Sequence, residues 1–305
     1  MEFARRFFGI FLPLVFTVGA IIVFRVLGTD HELIRPVTER VAGIVADVAA
    51  DVVPELAAKM PAQDKARGSY EEITATGFHL IRRAQYRYSV PQIARGQSRQ
   101  HDLVQDGRSL RFHSYHPRGT DPVPLVVLFH GAGREGLSMI DMWRRSAMRE
   151  GFALLAPDAP RQDWPITAPE PDAITEMITQ LAAQYPIDPA RIYLFGHSNG
   201  AGYAQVLINS HDGPWQAAAL HGGAVLGLPR RGLGKPVRLY LGDDDHVLSL
   251  EDARASARDF ARNGSDSSLV IIPGHTHWFY DIGPQIADAA WHWFTGLGAQ
   301  EMAAR

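Results

Sequence analysis

The chain has 305 residues, of which 46% are hydrophobic and 21% charged, so it is long enough for one large globular domain with a substantial extension. Its formal net charge of −3 excludes a strong positive field of the kind that attracts nucleic acid, and we predict no nucleic-acid partner. The absence of cysteine excludes disulfides, thiolate nucleophiles and cysteine-ligated zinc.

An apolar run begins close to the N-terminus. Two arginines precede the uncharged residues 7–24, and Arg25 closes the run. As a helix this run would measure about 27 Å, close to the roughly 30 Å hydrocarbon core of a bilayer. We predict that residues 1–28 form a membrane anchor, with the following domain in the periplasm or outside the cell. The alternative is a signal peptide cleaved near Gly28, which would give a secreted protein.

Residues 29–98 are predicted to be a helical stalk and linker. Alanine and valine with interspersed acidic residues at 37–60 predict an amphipathic helix that is interrupted near Pro54. A helix packed on the main domain, or one that binds a partner, is the alternative for this stretch. Residues 68–99 carry several arginines and tyrosines, and we interpret them as a solvated linker rather than as a nucleic-acid or lipid-headgroup patch.

The pattern changes at Arg99, and we predict a folded domain over residues 99–305. Residues 101–105 and 110–116, on either side of an Asp-Gly turn, predict an antiparallel hairpin. Strands alternating with helices then predict an α/β fold with a doubly wound, mostly parallel sheet. The predicted buried strands are 125–129, 152–156, 192–195, 217–220, 237–241 and 269–272, and the predicted helices are 137–149, 172–184, 199–209, 250–262 and 284–294.

The sequence Gly196-His197-Ser198-Asn199-Gly200 lies between a predicted strand and the helix that follows it. In that setting the pattern is typical of a nucleophile elbow, a strained turn that exposes the serine hydroxyl and needs glycines where backbones approach closely. A turn without a catalytic role is the alternative interpretation. We predict Ser198 to be a catalytic nucleophile.

A serine nucleophile needs a histidine that accepts its proton and a carboxylate that orients the histidine. In folds with a nucleophile elbow, both follow the serine along the chain, on loops after later strands. We predict Asp245, after the strand 237–241, as the carboxylate. Asp243 and Asp244 are interpreted as turn or helix-cap residues, and a calcium or magnesium site in this acidic triplet is the alternative.

The predicted base is His277, which lies in the loop after the strand 269–272. His275 is the alternative base in the same loop. The two histidines with the nearby acidic residues also resemble zinc ligands, but a nucleophile elbow has no place in such a site, and we predict no metal.

Acyl transfer also needs backbone N–H groups that stabilise the oxyanion. We predict these donors to be the amides of Asn199, next to the nucleophile, and of Ala132, in the loop 130–133 after the first buried strand. His130 is interpreted as a structural histidine that supports this loop. Trp164 and Trp278 are candidates for an aromatic wall that contacts substrate, with core packing as the alternative for each.

Four segments together resemble the polyhydroxybutyrate depolymerase and feruloyl esterase group of α/β-hydrolases: residues 125–133, 187–201, 242–245 and 273–278. The resemblance covers roughly residues 105–295. It implies the α/β-hydrolase fold with Ser198, Asp245 and His277 as a catalytic triad. It also implies aryl, acetyl or hydroxyalkanoate esters as substrates, and neither a metal nor an organic cofactor.

Ester hydrolysis through an acyl-enzyme is therefore the predicted function. An amidase or peptidase would use the same three residues, so these activities remain alternatives. A third possibility belongs to another class: a membrane-tethered binding protein with a vestigial hydrolase domain. The predicted partners are an ester substrate and, through the N-terminal helix, a membrane.

Overall fold

The computed structural model describes residues 68–80, 88–91, 98–227 and 232–303. These residues belong to one of two compact units of the chain, Lys65–Arg305. The other unit, Met1–Asp64, lies outside the described residues, and so do the predicted anchor at 1–28 and the predicted stalk helix at 37–60. Within the described ranges, no helix is both long enough and apolar enough to cross a membrane.

Nine strands of the described residues form one sheet in the order β1-β9-β8-β7-β6-β4-β5-β3-β2. Strand β3 runs antiparallel to both of its neighbours, and every other neighbouring pair is parallel. The mostly parallel sheet confirms the predicted fold class. The strands are β1 (Tyr70–Thr74), β2 (Arg99–Gln105), β3 (Arg108–Tyr115), β4 (Val123–Phe129), β5 (Ala153–Pro157), β6 (Ile187–His197), β7 (Ala217–His221), β8 (Val237–Gly242) and β9 (Ser267–Ile272).

Five α-helices of the described residues cover both faces of the sheet. They are α1 (Gly136–Glu150), α2 (Pro171–Ala182), α3 (Asn199–Ser210), α4 (Leu250–Arg262) and α5 (Gly283–Ala303). Helices α2, α3 and α4 pack on one face, and α1 and α5 pack on the other. Helix α5 continues nine residues beyond its predicted end at 294.

Strand β4 shows why its residues form an unbroken apolar run. Leu125, Val127 and Phe129 point into the core beneath α2, α3 and α4, whereas Val126 and Leu128 point into the core beneath α1 and α5. All five side chains are fully buried. A strand that is covered on both faces needs apolar residues at every position, and this pattern predicts a central parallel strand.

The sequence does not predict strand β1, because its pattern over residues 68–99 indicates a solvated linker. Tyr70–Thr74 instead pairs in parallel with β9 at the edge of the sheet. The Arg254 guanidinium in α4 donates two hydrogen bonds, of 2.9 and 2.7 Å, to the Glu72 carboxylate. Gly68 leads into the strand, and a Cβ there would lie 2.1 Å from the Ser265 carbonyl oxygen. The linker interpretation is therefore wrong for residues 70–74.

Candidate active site

Ser198 lies between β6 and α3, in the sharp turn that its sequence predicts. Its φ of 54° and ψ of −120° are rare for a residue with a side chain. A Cβ at Gly196 would lie 2.2 Å from the Gly200 oxygen, and one at Gly200 would lie 2.3 Å from the Phe129 oxygen. Both glycines are therefore required by close backbone approach, as in a nucleophile elbow.

The structure brings the three predicted catalytic side chains together in one hydrogen-bonded series. His277 Nε2 lies 2.9 Å from Ser198 Oγ, and His277 Nδ1 lies 2.8 Å from Asp245 Oδ2. The carboxylate can only accept, so Nδ1 carries the proton and Nε2 is free to accept the serine proton. All three residues follow the carboxyl ends of parallel strands, which places them at one edge of the sheet.

Asp245 is held as a buried carboxylate, with its side chain 1% exposed. Its second oxygen accepts hydrogen bonds from the backbone amides of Val247 (2.8 Å) and Leu248 (3.0 Å). Burial alone would raise the pKa of Asp245, but the hydrogen bond with His277 and the two amides bring this pKa below its usual value. Asp245 is therefore ionised at neutral pH and accepts the proton on His277 Nδ1.

The alternative base, His275, does not reach the serine. Its ring is 3% exposed, and its Nε2 lies 3.0 Å from Nε2 of His221. The neighbouring turn contains Asp243, whose carboxylate accepts a 2.5 Å hydrogen bond from the Gly274 amide and so joins the loops after β8 and β9. In the part of the chain that the structure describes, no three His, Asp or Glu side chains are arranged to hold a metal ion.

The loop 130–133 lies directly against the elbow. A Cβ at Gly131 would lie 3.5 Å from Ser198 Cβ, and one at Gly200 would lie 2.5 Å from the His130 carbonyl oxygen. Ala132 follows Gly131 in this loop and is exposed. Asn199 is the first residue of α3, so its amide has no acceptor within the helix. Both predicted oxyanion donors therefore belong to segments that adjoin Ser198.

Trp164 packs against this loop and supports it. Its ring is 5% exposed and stacks on Tyr203, and its Nε1–H donates a 2.8 Å hydrogen bond to the His130 carbonyl. The Trp164 amide donates to the Asn199 side-chain oxygen at 2.7 Å. The burial of the indole beneath the elbow favours the core-packing alternative for Trp164 over contact with substrate.

His130 has the structural role that its sequence position indicates. Its Nε2 accepts the Ala159 amide at 3.0 Å, and its Nδ1 lies 2.8 Å from the Gly131 carbonyl oxygen, to which it donates. Burial lowers the pKa of His130, which favours this neutral form. The histidine therefore fixes the path of the loop at its first residue.

Trp278 follows His277 directly in the chain and is partly exposed. The Arg134 guanidinium lies over the rings of Trp278 and Tyr280, at 5.0 and 5.1 Å. Arg134 also donates a 3.1 Å hydrogen bond to the Tyr88 carbonyl and lines a cavity of about 320 Å³ next to the loop 130–133. Sequence reasoning missed Arg134 and Tyr88, because only the folded chain brings them to this loop.

Comparison with known proteins gives structural neighbours but no sequence family. No family model matches the chain, and no curated protein matches it. A solved thermostable esterase is similar at 20% identity and a TM-score of 0.56, over 67% of this chain and 64% of that one. This chain therefore spans slightly less than two thirds of that esterase.

Two solved structures of esterase 2 from the Planctomycetes species Thermogutta terrifontis are also similar, each with a TM-score of 0.56. The form with bound propionate is 18% identical, over 68% of this chain and 96% of that one. The form phosphorylated by paraoxon is 19% identical, over 71% and 98%. Likenesses at these identities concern the fold alone, and together with the sheet order they show that the described residues have the α/β-hydrolase fold.

Proposed function

We propose that the protein is a serine hydrolase that cleaves carboxylic esters through an acyl-enzyme. The observation that carries this proposal is the series from Ser198 Oγ through His277 to Asp245, with distances of 2.9 and 2.8 Å. A histidine placed this way can take the serine proton, and a buried carboxylate holds the ring in the required tautomer. The strained backbone of Ser198 is a second, independent support.

In the proposed reaction, Ser198 Oγ attacks the ester carbonyl carbon while His277 Nε2 accepts its proton. The amides of Ala132 and Asn199 stabilise the oxyanion of the tetrahedral intermediate. When the intermediate collapses, the imidazolium of His277 protonates the leaving alcohol. A water molecule then attacks the acyl-enzyme with His277 again as the base, and the acid and free Ser198 are released.

The substrate class rests on the resemblance to polyhydroxybutyrate depolymerases and feruloyl esterases. We propose aryl, acetyl or hydroxyalkanoate esters, with part of the substrate in the cavity of about 320 Å³ beside Arg134 and against the exposed part of Trp278. No cofactor is needed for this chemistry, because the nucleophile, the base and the oxyanion donors all come from the chain.

A fluorophosphonate probe tests the nucleophile. We expect it to label the wild type and not Ser198→Ala, and we expect that variant to lose at least about 10⁴-fold in kcat. Ser109→Ala, at an exposed serine on β3, is the control and should behave as the wild type. Equal labelling of wild type and Ser198→Ala would contradict the proposal.

Amide hydrolysis uses the same side chains, so the leaving group must be tested directly. A series of p-nitrophenyl esters and matched p-nitroanilides would be measured on the same preparation. We expect kcat/KM to be higher for every ester than for its anilide. Anilides cleaved as efficiently as esters would instead make the protein an amidase.

We also propose that residues 1–28 anchor the protein in a membrane, with the hydrolase domain in the periplasm or outside the cell. The support is the uncharged apolar run at 7–24 between arginines. Sequencing the N-terminus of the mature protein from membrane and soluble fractions tests this. An intact N-terminus in the membrane fraction is expected, whereas a new N-terminus near Gly28 in the soluble fraction would mean a cleaved signal peptide.

A further inference from the structure

Three histidines that the proposed reaction does not use form a hydrogen-bonded chain of side chains, the histidine chain, beneath the active site. His197 Nδ1 lies 3.0 Å from His221 Nδ1, and His221 Nε2 lies 3.0 Å from His275 Nε2. The middle ring is fully buried, and the outer two are 5% and 3% exposed. The Phe279 ring packs 5.1 Å from His197 and 5.3 Å from His221, which shields the chain from water.

Each contact joins two ring nitrogens, and this restricts where the protons can be. A neutral imidazole has one N–H and one bare nitrogen, and a hydrogen bond needs one of each. If His221 carries its proton on Nδ1, then His197 and His275 must carry theirs on Nε2. If His221 carries it on Nε2, both partners must carry theirs on Nδ1. The tautomers therefore alternate along the histidine chain in either case.

The surroundings favour three uncharged rings. Burial lowers the pKa of His197 to about 3 and that of His275 to about 4, and the pKa of His221 is also lowered, mainly by burial. Positive charges on two neighbouring rings would also repel each other. The His197 and His277 rings lie 5.2 Å apart. Because His197 is neutral, it does not repel the positive charge that His277 carries as an imidazolium.

Each histidine belongs to a segment that positions a group of the triad. His197 precedes Ser198 directly, and His275 precedes His277 by two residues. His221 ends β7, and its carbonyl accepts the Ser198 amide at 2.8 Å. The next residue, Gly222, has φ +59°, and a Cβ there would lie 3.1 Å from the His277 ring. The three hydrogen-bonded histidines thus connect the nucleophile elbow, through β7, to the loop that contains His277.

We propose that His197, His221 and His275 are positioning residues, which form a neutral chain of alternating tautomers that fixes the nucleophile elbow relative to the loop of His277. The proposal rests on the function proposed above, because it concerns the same site. It assigns these rings no proton transfer with substrate. Their effect is on the distance and angle between Ser198 Oγ and His277 Nε2.

The tautomers can be measured without substrate. Long-range ¹H–¹⁵N correlation spectra of the full-length protein, labelled with ¹⁵N-histidine, distinguish a protonated from a bare ring nitrogen. Spectra of single histidine variants assign the three residues. We expect His197 and His275 to share one tautomer and His221 to have the other. The same tautomer on all three, or a charged ring at neutral pH, would overturn the proposal.

Variants at His221 test the effect on catalysis. His221→Phe removes both hydrogen bonds, and we expect kcat to fall about 10-fold to 10²-fold while KM changes by less than about 3-fold. His221→Asn places an amide nitrogen or oxygen near the Nδ1 position, and His221→Gln near the Nε2 position, so each can restore one bond. We expect both to have kcat values between those of the wild type and His221→Phe.

Leu207→Ala in the core beneath α3 controls for lost stability. Thermal unfolding of each variant identifies those that are folded at the assay temperature. A kcat of His221→Phe no lower than that of Leu207→Ala would overturn the positioning proposal. Failure of the proposed function is a separate result, because it shows in the wild type as absent fluorophosphonate labelling and absent ester hydrolysis.

Discussion

Ser198 keeps a backbone conformation that costs about 1–3 kcal/mol for a residue with a side chain. The surrounding backbone holds it there. Its amide donates to the His221 carbonyl at 2.8 Å, and its carbonyl accepts the amides of Ala201 (2.9 Å) and Gly202 (3.1 Å). The position of the hydroxyl is therefore set by three backbone hydrogen bonds in addition to the bond with His277.

The same close packing makes Gly200 sensitive to a single added carbon. Gly200→Ala would place Cβ 2.3 Å from the Phe129 oxygen, in backbone that cannot move aside. We expect a loss of about 1–3 kcal/mol or more, which corresponds to about 2–12 °C in Tm, with a large loss of ester hydrolysis. Calorimetry and initial rates with a p-nitrophenyl ester measure the two effects.

Gly296→Ala in α5 is the matched control, because among the described residues no atom outside its own stretch of helix lies within 4 Å of its added Cβ. We expect this variant to be about 0.5–1 kcal/mol more stable than the wild type, since alanine favours a helix over glycine. Unchanged stability and activity in Gly200→Ala would contradict the close contact described for the elbow.

Among the elements, the segment that contains Trp164 supports the loop 130–133 through a hydrogen bond to the His130 carbonyl. Trp164→Phe would remove the Nε1–H donor from the His130 carbonyl, and Trp215→Phe removes an indole N–H that has no partner among the described residues. We expect Trp164→Phe to cost about 1–3 kcal/mol more than Trp215→Phe, because it leaves a buried carbonyl unsatisfied.

The two tryptophan variants should also differ in activity. We expect a lower kcat for Trp164→Phe, because the loop with Ala132 loses its support, and nearly wild-type kcat for Trp215→Phe. Denaturant unfolding and steady-state rates measure both effects. Equal losses of stability and of kcat in the two variants would mean that Trp164 contributes through the volume of its ring and not through its N–H group.

Strand β1 is held to α4 by an ion pair, and this predicts a pH dependence. The hydrogen bonds from Arg254 are the main reason that the pKa of Glu72 falls from 4.5 to about 2. A carboxylate with a lowered pKa stabilises the fold fully above its unfolded pKa, and this stabilisation is lost as the pH falls through the folded pKa. The relevant range is therefore from about pH 4.5 down to about pH 2.

Glu72→Gln should have a lower Tm than the wild type at pH 6, and this difference should vanish near pH 2. Thermal unfolding at intervals across that range measures it. Glu71→Gln, which removes an exposed carboxylate outside the ion pair, controls for the change in net charge. A Tm difference that does not change with pH would contradict the pKa shift.

The burial of an element determines whether the sequence predicts it. Strand β4 and the other central strands are apolar at every position because helices cover both faces, and such runs are visible in the sequence. Strand β1 has two exposed glutamates in five residues, and it is a strand because β9 offers a free edge. Its formation depends on tertiary pairing, which local patterns do not contain.

At the scale of the whole molecule, the unit Lys65–Arg305 begins before the boundary predicted at 99. A chain that starts at residue 65 should unfold in one cooperative transition. A chain that starts at residue 99 lacks β1 and exposes the edge of β9, so we expect a lower Tm and a tendency to aggregate. Calorimetry and light scattering compare the two. Equal Tm and solubility would mean that β1 adds nothing to the domain.

Some residues of the candidate site can be predicted from local sequence patterns, and others only from tertiary contacts. Ser198, Asp245 and His277 could be predicted because each lies at a fixed position after a recognisable strand. The pairing of His197 with His221 and of His221 with His275 joins residues 24 and 54 positions apart. Trp164 gave no local sign of its burial. These contacts depend on how neighbouring strands align, so a single sequence does not reveal them.

The direction of β1 determines where the upstream chain is attached. Because β1 runs parallel to β9, Gly68 lies at the amino-terminal edge of the sheet, where its amide donates to the Ala261 carbonyl at 2.9 Å. Ser198 follows β6, four strands across the sheet from β1, at the opposite edge, which is about 20 Å away along the strand direction alone. An attachment point placed at Gly68 itself would therefore lie on the side of the domain opposite to the Ser198 hydroxyl.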